Sequence, residues 1–329
     1  MSSLYKALAH FIKEYMLVLV VIFLGIIFSF MAPAFGTPQN ISNMLRQASI
    51  NAIISLGLLF PVLTGGIDLS VGAVAGFAGV LVAGFMRDGI HWFPAIILVL
   101  LVGCMIGATS GFLITFMKIP PFVATLALMT IVEGIKFIYS RSLTIFTDSK
   151  PFAVIGGGEF LGIPVPIWLM VFLMLILQFV MSKTIYGRSL YALGGNAAAA
   201  RLAGINTRTI TFSAYVVGAL LATFAGVVLA SRMESGSPLA GSGFVNNAIA
   251  SVVIGGGSLA GGRGKPFLVL FGALIIAMVN NQLNLMGVQT HYQRVILGLI
   301  IIFAVFFTEY SKNRKTGKAF GARAAKKSG

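Results

Sequence analysis

Three groups of residues in this sequence have types and spacings that could do chemistry. Asp68 stands in TGGIDLSVG, Thr64 to Gly72, and is the only carboxylate between Glu14 and Asp88. A carboxylate in so apolar a run is costly to desolvate. Asp68 or Ser70 therefore either caps the following helix, with the glycines letting the backbone turn, or meets a polar solute directly. Amides form the second group: Asn280 and Asn284 lie four apart on one helical face, and Asn246 and Asn247 open another apolar run. Such amides either bond helix to helix or offer a polar face to a hydroxyl-rich ligand. The third group is the glycine run Gly255 to Lys265, which fails as a phosphate loop. Leu259 stands where the first Gly of GxxxxGK is required, and Pro266 where Ser or Thr must bind magnesium. Any ATP chemistry therefore belongs to another chain. His10, His91 and His291 are unclustered, no HExxH occurs, and the single Cys104 can form neither a disulfide framework nor a cysteine metal site within the chain.

The elements that must position these residues are membrane helices. Hydrophobic residues make up 58% of the chain and charged residues 9%, against about 25% charged in a soluble domain. Ten uncharged stretches result: 15–45, 47–67, 69–86, 89–117, 119–132, 160–182, 209–231, 235–262, 266–293 and 295–308. A span needs about 20 residues, so the two shortest must extend past Glu133 and Glu309 or be held short by neighbours. The expectation is an all-α polytopic membrane protein of about ten transmembrane helices. One transmembrane domain covers 1–311, and a basic tail covers 312–329.

With the N-terminus inside, 16 Lys and Arg residues fall on the inner side and 6 on the outer, with Lys136 within a span. The positive-inside rule then puts both termini in the cytoplasm. The net charge of +15 is scattered at the ends of apolar runs, so it is topological and no nucleic-acid partner is expected. The tail suits anionic membrane lipid. Residues 1–15 read as an amphipathic helix at the inner interface, followed by an uncleaved first span.

The longest polar, small-residue interruption is Tyr186 to Thr207. Ala197 to Leu202 is a helix-forming run that Asn196 can cap and Gly204 can end in a left-handed conformation. Arg188, Arg201 and Arg208 make the segment cationic, and Gly194, Gly195 and the alanines allow another backbone close. It is either a docking surface or a solvated loop.

Elsewhere, Gly72, Gly76, Gly79 and Gly84, and Gly103, Gly107 and Gly111, permit close helix crossings. Glu133 and Lys136, three apart, can neutralise each other. The segment from Arg141 to Pro166 is an outer loop that is either a receptor surface or a connector. Asn51 to Ser55 (NAIIS) and Asn247 to Ser251 (NAIAS) echo one another weakly, a hint of duplicated architecture.

GGIDLSVG, YALGGNAAAARLAGIN (Tyr191 to Asn206), AIASVVIGGGSLAGGRG (Ala248 to Gly264) and NNQLNLMGV (Asn280 to Val288) follow in the order and spacing seen in one family. The chain resembles the membrane permeases of ribose/galactose-type ATP-binding cassette importers. The resemblance implies a permease of the bacterial inner membrane that moves a monosaccharide inward. It implies a separate ATPase subunit carrying the ATP and magnesium, an extracytoplasmic sugar-binding protein and a second permease copy, with no cofactor bound by this chain. It also implies that Asn196, Ala197, Ala198, Ala199, Arg201, Gly204 and Ile205 form a coupling helix seated in an ATPase cleft. One departure is visible, because Ala197 stands where relatives often carry Glu. The solute path is expected at Asp68, Ser70, Asn246, Asn247, Asn280 and Asn284. The rival reading is a secondary transporter or channel, which would need more intramembrane ionisable residues than Asp68 and the Glu133/Lys136 pair.

Overall fold

The computed structural model describes residues 2–306, with side chains described from residue 16 onward. The basic tail, a last span reaching past Glu309, and the amphipathic face of residues 1–15 lie outside these residues. The helices in chain order are α1 (Ser2–Met31), α2 (Pro38–Leu63), α3 (Val71–Arg87), α4 (Trp92–Thr115), α5 (Pro121–Ser140), α6 (Lys150–Gly157), α7 (Val165–Lys183), α8 (Ile185–Gly195), α9 (Ala197–Leu202), α10 (Thr207–Met233), α11 (Phe244–Ile254) and α12 (Pro266–Leu285). A last apolar helix, α13, covers Thr290–Phe306. A short 3-10 helix (Pro33–Gly36) and two antiparallel strand pairs complete the described chain: β1 (Ile145–Phe146) with β4 (Ser235–Gly236), and β2 (Glu159–Phe160) with β3 (Ile163–Pro164).

By length and apolarity, α2, α4, α5, α7, α10 and α12 can each cross a membrane, and Met16–Met31, α3, α11 and α13 are shorter apolar helices. The centre of the bundle is α2 with α10. From Ala48 to Leu63 every residue of α2 is buried, because it is surrounded by α10, α11, α12 and α7. An all-round apolar helix has this fate. The peripheral α4, α5 and α7 keep large side chains such as Leu101, Phe122, Phe172 and Phe179 exposed, a surface suited to lipid.

The small-residue spacing on α4 has the effect its sequence predicts. A side chain at Gly103, Gly107 or Gly111 would run into Thr223, Ala219 or Phe212 of α10, so the two helices cross nearly backbone to backbone.

Two expectations change. Glu133 and Lys136 form no ion pair among the described residues. Lys136 is 97% buried, turned toward α3 beside Gly76, while Glu133 stays half-exposed. A three-residue offset rotates the two side chains about 60° apart on the helix, enough here for α5 to send one inward and leave the other at the surface. The 141–166 loop is also no simple connector. Arg46 of α2 donates to the Gly157 carbonyl and to Glu159, both at 2.6 Å. Ser231 of α10 accepts from the Gly156 amide at 2.7 Å and donates to the Phe152 carbonyl at 2.5 Å.

Candidate functional site

The 186–207 segment forms α8 and α9, with a cap at every boundary. Thr184 accepts from the Gly187 amide at 3.2 Å to start α8, and Asn196 accepts from the Ala199 amide at 3.0 Å to start α9. At the far end the Gly204 amide bonds the Arg201 carbonyl and the Ile205 amide bonds the Ala200 carbonyl, both at 3.0 Å. That is a Schellman motif with Gly204 at φ +80°. Ile205 is half-buried in the position where this motif makes its apolar contact, whereas Ala197, Ala198, Ala199 and Arg201 are exposed and Ala200 is buried. Leu202 is 91% exposed, an apolar tip on an otherwise small and cationic surface. A six-residue run is too short for a hydrophobic period to show which face Leu202 takes.

Directly behind α9 lies a junction of backbones. The Gly262 amide donates to the Leu63 carbonyl at 3.0 Å, joining the end of α2 to the glycine turn between α11 and α12. Gly194 presses on that bond: a Cβ there would overlap both the Leu63 oxygen and the Gly262 nitrogen. Tyr191 adds a tether by donating to the Gly264 carbonyl at 2.6 Å. Burial pushes its phenol above the ordinary tyrosine pKa, so it remains a donor across the neutral range. The segment is therefore packed on the end of α2 and tethered to the turn that leads into α12.

At the other end of α12, about 27 Å away by helical rise, Asn280 and Asn284 meet Asn246 and Asn247 from the first turn of the antiparallel α11. Together they line a cavity of about 370 Å³, whose remaining wall includes Gln293 and Arg294 of α13. Gln293 donates to the Asn284 side chain at 2.7 Å. The neighbouring amides differ in role: Asn281 and Asn40 exchange hydrogen bonds at 2.9 Å and so hold helices together. Four of the six residues expected on a solute path thus share one cavity.

Asp68 and Ser70 do not join them. Asp68 is fully buried, and its Oδ1 accepts from the Ser70 amide at 2.8 Å and the Ser70 hydroxyl at 2.6 Å. Ser70 occupies the cap position of α3 but its side chain makes no cap bond. The carboxylate fixes the turn that delivers the chain to α3, which corrects the expectation of a side-chain cap. The two echoing motifs do touch, since Asn51 donates to Ser251 at 3.2 Å within the core. Gln47 of α2 also lines the amide cavity, and no local signal relates position 47 to positions 246 or 280. No group of three or more His, Cys, Asp or Glu suited to a metal ion occurs among the described residues.

Comparison with known proteins places these features in context. Residues 40–305 match the family model described as branched-chain amino acid transport system / permease component. The chain is similar to the ribose import permease protein RbsC of Haemophilus influenzae, 40% identical over 94% of this chain and 97% of the relative. It is also similar to the ribose import permease protein RbsC of Bacillus subtilis, 44% identical over 86% and 88%. The D-allose transport system permease protein AlsC of Escherichia coli is 39% identical over 85% and 86%. No solved structure matches the chain.

Proposed function

This chain belongs to the ribose-type permease family of ATP-binding cassette importers, and from that premise we propose how its parts divide the work of moving a sugar. It is a multi-pass inner-membrane subunit of a monosaccharide importer, without its own ATPase, working with an ATPase subunit and a sugar-binding protein. In our reading α9 is the coupling helix, seated by its exposed alanines, Arg201 and Leu202 in a cleft of the ATPase. ATP and magnesium are bound in that partner and no cofactor in this chain. The observation that carries the reading is the mechanical continuity from Gly194 through the Leu63–Gly262 bond into α2 and α12, the helices that also line the amide cavity. Closure of an ATPase pair on two coupling helices, one from each copy of a homodimer, then displaces these helices and changes access to the cavity.

The cavity's amides supply both donors and acceptors, which suits a neutral polyhydroxy solute better than an ion. A secondary transporter would place paired ionisable groups there, and among the described residues Arg294 is the one charged residue on its wall. Asn280→Leu and Asn284→Leu should each lower sugar uptake by about 2- to 10-fold, the worth of one net hydrogen bond, while ATPase co-purification stays unchanged. Normal uptake in both, or failed assembly in both, would make the amide face purely structural.

Ten spans, α1 to α5, α7 and α10 to α13, with both termini cytoplasmic, complete the proposal. The 16 to 6 bias of basic residues supports it. Ser149→Cys should react with an impermeant maleimide added outside intact cells, and a reporter fused after Gly329 should report cytoplasm. Labelling of Ser149→Cys only in inverted vesicles would overturn this orientation.

A further inference from the structure

A second cavity, of about 460 Å³, lies beside the coupling helix between the ends of α4, α5, α9 and α10. Its rim carries Lys118, Arg201 and Arg208, none paired with a carboxylate among the described residues. Two of these cations sit where local structure does not favour them. Arg208 occupies the first turn of α10, at the positive end of a helix dipole. Lys118 has φ +58°, a left-handed backbone that a side chain with a Cβ adopts at a cost. The floor is different in kind: Tyr215, whose side chain is wholly buried, and Thr115 line it, and the buried hydroxyl of each has no hydrogen-bond partner. Orphaned buried hydroxyls call for a partner. Gly66, two residues before the buried Asp68, stands against the Tyr215 hydroxyl, so the floor carries hydroxyl groups with no cation and suits neutral hydroxyls, whereas the cationic rim suits an anion.

We propose that this cavity is a binding site for a phosphorylated polyol, with phosphate at the cationic rim and hydroxyls on Tyr215 and Thr115. Guanidinium groups match phosphate oxygens in forked pairs, and the volume is in the range of small-molecule sites. This rests on the cytoplasmic placement of the coupling segment proposed above. Phosphoryl transfer from a nucleoside triphosphate to a hydroxyl of an imported sugar, by another protein, generates this class of ligand on that side of the membrane. The headgroup of a glycerol-phosphate lipid offers the same chemistry. A ligand spanning Arg201 on α9 and Arg208 on α10 would hold the coupling helix against the bundle. It thereby restrains uptake from the product side, as linkage requires of any ligand that prefers one position of that helix.

The test uses the full chain with its ATPase in phosphatidylcholine nanodiscs, titrated calorimetrically with ribose 5-phosphate, glucose 6-phosphate, the two free sugars and inorganic phosphate. The expected result is submillimolar binding of an ester, at least about tenfold tighter than free sugar or phosphate. Lys118→Asn, Arg208→Gln and Tyr215→Phe should each weaken it about tenfold. In a parallel arm, thermal stabilisation by added phosphatidylglycerol that these variants abolish, without binding of the soluble esters, would assign the headgroup as the source and support the same chemistry. No binding in either arm, or binding untouched by all three variants, overturns the proposal. So does disulfide capture of Arg208→Cys by the ATPase in the resting complex, because protein would then fill the cavity. Uptake of free sugar by ATP-loaded vesicles containing no ester reports on the importer reading alone.

Discussion

Gly194→Ala is expected to abolish transport although it adds a single methyl group. The added carbon would overlap the Leu63 carbonyl oxygen and the Gly262 amide nitrogen, which are bonded to each other. Both obstacles are backbone, so no rotamer change relieves the clash. Either that hydrogen bond opens or α8 lifts away. Overpacking of this kind costs roughly 1–3 kcal/mol, and a displaced coupling segment should lower uptake by about 100-fold or more even where the protein inserts, since reactive geometry between subunits tolerates little error. Gly195→Ala is the matched control: it is exposed and its added carbon meets nothing, so assembly and uptake should stay close to wild type. Fluorescence-detected size exclusion followed by vesicle uptake measures both. Wild-type uptake in Gly194→Ala would show that the junction transmits nothing.

The second large effect is expected on the exposed side of α9. Ala199→Trp places an indole on the surface assigned to the ATPase cleft while the buried Ala200 is left alone, so insertion and bundle stability should be normal. ATPase co-purification should fall by at least about tenfold, the loss associated with a disrupted interface centre. Gly204 tests the same helix from its end. Space is open around it, so only its backbone conformation resists substitution. A left-handed L-residue costs about 1–2 kcal/mol, less for Asn and more for a β-branched side chain. Uptake should therefore decline in the order Gly204→Asn, Gly204→Ala, Gly204→Val. Equal, wild-type uptake in Ala199→Trp and Gly204→Val would leave α9 an ordinary loop.

How much of this was legible in the sequence depends on how local each feature is. The Asn196 cap, the end of α9 at Gly204 and the glycine ridge of α4 are set by residues within one or two turns, and the sequence reading found them. The shared face of Asn280 and Asn284 is also local. Its meeting with Asn246 and Asn247 follows once α11 and α12 are antiparallel neighbours. Gln47 and Arg294 reach the same cavity only through helix packing, which no spacing along the chain encodes. The burial of Lys136 is not legible for a related reason: Glu133 is a nearby partner in sequence, and packing against α3 turns the lysine inward instead. Asp68 differs, because its bonds to Ser70 are local and the sequence leaves open whether such a carboxylate closes a turn or caps the helix. The pairing of β1 with β4 joins segments about ninety positions apart, and two-residue strands carry no alternation to detect.

The bonds from Arg46 to Gly157 and Glu159, and from Ser231 to Gly156 and Phe152, make the 141–166 loop a handle riveted to the two innermost helices. α2 and α10 run from that handle to opposite flanks of the 186–207 segment. A protein that grips the loop from one side of the membrane would thus have leverage on α2, one of the two helices proposed to move with the ATPase, and on α10, which begins where the coupling segment ends. Cutting the Arg46 rivet with Arg46→Met would leave each subunit able to bind while the arrival of one went unfelt by the other.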